Sequence, residues 1–177
     1  MVVLTFHPTT RLAALAEAFG GKSRDEAVAD AGKALESMRG ESDAVIEQSI
    51  GMLEELVRKA AVEEGCSQQY MQEILCLGDQ IVTLAGTFTY KNLDIAARSL
   101  CDVTDGLIHQ RRSNLASIQV HVQALRLMAP KSPPLTDEDV DKILSELAKI
   151  ITFYGITRAA DSAATGELEY SAVNDAQ

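Results

Sequence analysis

Residues 92–128 read NLDIAARSLCDVTDGLIHQRRSNLASIQVHVQALRLM. At 100° per residue the first half places Leu93, Ala96, Ala97, Leu100, Val103, Thr104, Leu107 and Ile108 on one face of a helix. Arg98, Asp102, Asp105 and His109 occupy the opposite face, with Arg112 at its margin and Ile95 as an isolated apolar exception. Spacing alone predicts i,i+4 pairing of Arg98 with Asp102 and of Asp105 with His109. Arg111-Arg112-Ser113-Asn114 interrupts the run, and Ser113 or Asn114 can cap a second helix, Leu115–Met128. Leu115, Ile118, Val122 and Leu125 form one apolar row of that helix, and Val120, Ala124, Leu127 and Met128 spread over its other side. So little polar surface predicts a helix at the centre of a bundle or in a subunit interface. His121 falls at the edge of the apolar surface, where a half-buried, hydrogen-bonded histidine is expected.

The rest of the chain repeats this period. Ser23 with Glu26 three residues on is a capping box ahead of Ala27, Val28, Ala31, Leu35 and Met38, a run that Gly40 is expected to stop. Ser42 is placed as the cap of a long amphipathic helix over 43–64. Val45, Ile46, Ile50, Met52, Leu53, Leu56 and Val57 lie on its apolar half. Ser67 caps a helix from Gln68 to about Gly86, an antiparallel neighbour through a short connection, with Gly78 permitting a close crossing. Three prolines in residues 129–136 make a linker, after which Thr136 caps a helix over 137–154. The linker allows that helix to fold back on its own bundle or to dock on another subunit. A shorter helix is expected over 10–19, before Gly20-Gly21, preceded by a β-prone arm at 2–6. Residues 157–177 lose the period and read as a disordered or loosely docked tail. The expectation is therefore an all-α, single-domain antiparallel helical bundle of about six to seven helices. It would occupy residues 1–156, with a short N-terminal arm and a flexible C-terminal tail.

Composition narrows the function classes. The 177 residues carry a net charge of −10 and a pI near 4.7, which disfavours nucleic acid and anionic membranes and suits a protein partner with a basic surface. No run approaches a membrane span, and the start of the chain, with no basic opening and no long apolar run, gives no expectation of a secretion signal. Cys66, Cys76 and Cys101 form no C-x-x-C pair, which suits a reducing cytoplasm. Neither phosphate loop, H-E-x-x-H, E-x-x-H nor G-x-S-x-G occurs. No metal or cofactor is expected, and no catalytic role is assigned. Cys76, Asp79 and Thr83 share a helix face, but nothing basic stands there to activate the thiol.

These observations predict a non-enzymatic, signalling-related helical interaction protein, cytoplasmic and homo-oligomeric, with a dimer expected. Its candidate binding surface is the stripe Arg98, Asp102, Asp105, His109 and Arg112, although a charge run at helical spacing reads first as a solvated face of weak ion pairs. An alternative comes from His109-Gln110-Arg111-Arg112-Ser113, which resembles the motif of histidine phosphotransfer domains over five residues. Ser113 stands where those domains have a glycine. The resemblance implies a phosphoacceptor at His109, with Arg112 stabilising the charge and Asp105 alongside. A small apolar ligand held between the helices is a third possibility.

Overall fold

The computed structural model describes residues 22–62 and 67–156, and every described regular element is an α-helix. In chain order these are α1 (Arg24–Val62), α2 (Gln68–Thr87), α3 (Lys91–His109), α4 (Leu115–Met128) and α5 (Asp137–Phe153). The fold class is all-α as expected, but the described residues hold five helices. The arm at 2–6, the helix at 10–19 and the tail at 157–177 lie outside them. Contacts divide the chain between Arg39 and Gly40 into two compact units.

One difference in helix number has a physical cause within the described chain. The two helices expected on either side of Gly40 are one helix of 39 residues. A mid-helix glycine costs only about 1 kcal/mol. Here it is flanked by good helix formers, Ala34, Leu35, Glu36, Met38 and Arg39 before it and Glu41 and Ala44 after it. Ser42 is therefore not a cap but a buried helical residue. The capping box at the start does form: the Ser23 amide donates to Glu26 Oε2 at 2.9 Å, and the Glu26 amide donates to Ser23 Oγ at 3.2 Å. In the N-terminal unit, Val28, Leu35 and Met38 are exposed.

In the C-terminal unit the centre is α3. It packs against α2, α4 and α5, and Leu93, Ala96, Ala97, Leu100, Val103 and Leu107 are sealed from solvent along it. Residues 40–62 of α1 supply Ile46, Ile50 and Leu53 to the same core. Polar ties fix this part of α1: Tyr90 Oη donates to Asp43 Oδ1 at 2.7 Å, and Arg126 on α4 donates to Glu47 and to both carboxylate oxygens of Glu54, each at 2.8 Å. Gly78 provides the expected close crossing of α2 and α3, since a Cβ there would lie 2.7 Å from Cys101 Sγ. The terminal helix α5 packs on α3 and α4 of its own chain.

Caps follow the sequence at three starts. Ser67 accepts from the Tyr70 amide, Asn114 from the Ser117 amide and Thr136 from the Asp139 amide. The helix ends are less regular. α2, α3 and α5 each stop at a residue of positive φ, Thr89 (61°), Arg111 (51°) and Gly155 (63°). After α3 the Arg112 amide donates to Leu107 O and the Arg111 amide to Ile108 O. After α5 the Ile156 amide donates to Ile151 O and the Gly155 amide to Thr152 O. Both are Schellman closures, but α3 uses arginine at a position where glycine is unstrained.

Candidate functional site

The expected stripe on α3 is only partly continuous. Arg98 turns back to Asp94, its Nε lying 3.0 and 3.1 Å from the two carboxylate oxygens, rather than pairing with Asp102. An acid one turn N-terminal to its base is the better-oriented helical pair. Asp102 is half-buried. The pairing of Asp105 with His109 does occur: His109 Nδ1 donates to Asp105 O at 3.0 Å and lies 3.3 Å from Asp105 Oδ1, with the ring exposed. Arg112 leaves the stripe. The helix ends at His109, and the left-handed turn at Arg111 redirects the chain before Arg112. The regular four- and three-residue steps carried the stripe across a helix end that the sequence did not mark with glycine.

His121 is the opposite case. It is fully buried and both ring nitrogens are bonded. Nδ1 lies 2.7 Å from Ser117 O, and Nε2 lies 3.0 Å from Ser99 Oγ. A carbonyl only accepts, so Nδ1 carries the proton and Nε2 accepts from the Ser99 hydroxyl. Burial holds His121 below the usual histidine range, against a smaller opposing pull from the Ser117 carbonyl and from Asp102. The ring is neutral at pH 7. Ser99 drew no attention in the sequence, though its helical neighbours Ala96 and Val103 are both core residues. Its partner is 22 residues away, a tertiary pairing that local spacing does not encode.

Ser99 also lines a cleft of about 340 Å³ between α3 and α5, with Ile95, Leu147, Ala148, Ile151 and Thr152 around it and Ile156 at one end. Ile156 lies over Gly106, where a Cβ would come within 2.5 Å of its side chain.

A second concavity of about 630 Å³ lies between residues 40–62 of α1 and α2. Gly51, Met52, Leu56, Cys76 and Leu77 make its apolar surface, and Gln48, Glu55, Lys59 and Glu73 surround it. Met52 is 49% exposed, an unusual position for so large an apolar side chain. The helical period places it on the apolar half of α1, and only the tertiary structure shows that it stands half exposed.

Both described cysteines are free. Cys101 is pushed up to about 12 by burial and by Asp79, whose carboxylate lies 3.6 Å away, so it is a thiol at neutral pH rather than a nucleophilic thiolate. No group of three metal-ligating side chains converges among the described residues. No described helix is long and apolar enough to cross a membrane. The helix Leu115–Met128, expected to be apolar on two buried sides, buries one: Ile118, His121, Val122, Ala124 and Leu125 face inward, while Val120 and Leu127 are 42% and 49% exposed. Comparison with known protein families, with characterised proteins and with solved structures found no match to this chain.

Proposed function

We propose that this chain is a non-enzymatic helical interaction protein of the cytoplasm, serving a signalling or regulatory pathway, and that its α1/α2 groove receives an amphipathic helix from a basic protein partner. The observation that carries the reading is the half-exposed Met52 in an apolar groove of about 630 Å³. An apolar helical face laid into such a groove is a recurring mode of peptide recognition. Electrostatics supports a basic partner. The described parts of residues 40–87 hold seven acidic residues, Glu41, Asp43, Glu47, Glu54, Glu55, Glu73 and Asp79, against two basic ones, Arg58 and Lys59. Such an imbalance speeds encounter with a cationic surface and weakens as salt rises. Val120 and Leu127 offer a separate apolar stripe for the expected dimer.

A synthetic 18-residue leucine/lysine amphipathic helix, labelled for fluorescence anisotropy, tests the groove. We expect saturable, salt-sensitive binding that Met52→Asp weakens at least about tenfold, since a charge would then have to be buried against the peptide. Equal binding by wild type and Met52→Asp would sink the reading. Light scattering tests the dimer, which a monomer at every concentration would exclude.

Phosphotransfer at His109 is a second reading, favoured by the exposure of its ring. Two features oppose it. The ring sits on the last residue of α3, where the helix dipole repels a phosphoryl group, and Arg112 does not continue the stripe beside it. Incubation with phosphoramidate decides the matter: an acid-labile adduct lost in His109→Gln would establish the relay chemistry, and no adduct would remove it.

A further inference from the structure

The cleft between α3 and α5 has a hydrogen-bonding polarity that can be deduced atom by atom. Its two hydroxyl-bearing side chains are Ser99 and Thr152. The Ser99 proton is committed to His121 Nε2, because the Ser117 carbonyl forces the proton of that ring onto Nδ1. The Thr152 hydroxyl donates to Ala148 O at 3.0 Å, within its own helix. Both oxygens therefore keep lone pairs and have no proton left to give. Among the described residues every other side chain around the cleft is aliphatic, so none of them carries a charge to attract or balance an ion.

We infer that this cleft binds a small, neutral, apolar molecule carrying one hydroxyl group, an aliphatic alcohol or a phenol, which donates its proton to Ser99 or Thr152. A carbonyl compound or an ether offers only lone pairs and would set acceptor against acceptor. A carboxylate would do the same while also giving up its hydration. An ammonium group has protons to donate but would lose hydration in a cleft without a carboxylate. The volume of about 340 Å³ lies at the small end of ligand sites. Ser99 is 5% exposed and fixed by a buried histidine, so its orientation exists before the ligand arrives. The exposed Ile95 and Ala148 stand at the surface of the cleft, where entry is direct.

The test compares 4-propylphenol with 4-propylanisole, its methyl ether, by calorimetry on the full chain. One neutral hydrogen bond predicts that the phenol binds about fivefold tighter. Ser99→Ala combined with Thr152→Val should bring the two affinities together. Ala148→Phe, at an exposed position, fills the cleft and should weaken the phenol more than about tenfold with helix content unchanged. Absence of saturable binding, equal binding of phenol and ether by the wild type, a preference that persists in the double variant, or indifference to Ala148→Phe would each overturn the assignment.

Discussion

His109 and His121 begin alike. Each turns Nδ1 onto the carbonyl four residues earlier, at 3.0 Å to Asp105 O and 2.7 Å to Ser117 O. The two differ in what surrounds the rest of the ring. His109 stands in solvent at the end of α3, beside an exposed carboxylate. His121 lies in the seam of α3 and α4, where Ser99 meets its second nitrogen. The shared bond belongs to the helix and follows from local geometry. The Ser99 bond belongs to the packing. In His121 the carbonyl bond sets the tautomer, and this second bond then commits the Ser99 proton to Nε2, which gives the adjoining cleft a defined polarity.

The contrast breaks first at His121. Replacing it with leucine strands the Ser99 hydroxyl in the core, while the Ser117 carbonyl keeps its place in the helix ladder, and we expect a loss of about 1–3 kcal/mol in urea unfolding. Adding Ser99→Ala removes the stranded group and should return part of that loss. If His121→Leu were as stable as wild type, the seam would not depend on the polar chain. His121 also sets a pH dependence. Its pKa is lowered on folding, so above about 6.5 neither the folded nor the unfolded state carries the proton and nothing is lost. As pH falls below that value the unfolded chain takes up a proton that the native ring resists, and stability declines until the lowered native pKa is passed. A His121→Gln variant should lack this part of the decline, and unfolding measured at stepped pH between about 6.5 and 5 would show whether the slopes differ.

A smaller change is expected at the end of α3. Arg111 holds a φ of 51°, a conformation that costs an L-residue roughly 1–2 kcal/mol. Arg111→Gly removes that strain and gives back some of it in unfolded-chain entropy, so we expect stabilisation of about 1 kcal/mol. A destabilised variant would mean that the arginine side chain contributes contacts outweighing the strain. The smallest effect belongs to His109. Its exposed ring makes one local bond, and His109→Ala should change stability by less than about 0.5 kcal/mol. A larger loss would place His109 in packing as well and erase the distinction between the two histidines.

Much of the fold was legible because it rests on local rules. The apolar period of 92–128 located α3 and α4, and the caps Ser67, Asn114 and Thr136 fixed helix starts within the chain. Gly40 misled because a glycine is a breaker only where its neighbours are poor helix formers. The break expected at Arg111-Arg112-Ser113-Asn114 is present, but its first residue was not legible, since arginine occupies the left-handed position where glycine would have announced the stop. Of the proposed stripe, the pair Asp105 and His109 was visible as an i,i+4 spacing and is present. Arg98 chose Asp94, also four residues away, and spacing could not rank the two acids. Ser99 and the exposure of Met52 were out of reach, because each depends on which helix lies alongside and not on the period of its own.

The most direct test of the polar seam is the nitrogen-15 spectrum of the His121 imidazole at neutral pH and through an acid titration. We predict a neutral ring with the proton on Nδ1, an unprotonated Nε2 accepting from Ser99, and a titration midpoint below that of an ordinary histidine. A proton on Nε2, or a midpoint at or above the ordinary histidine value, would contradict the account and with it the donor-seeking polarity of the cleft.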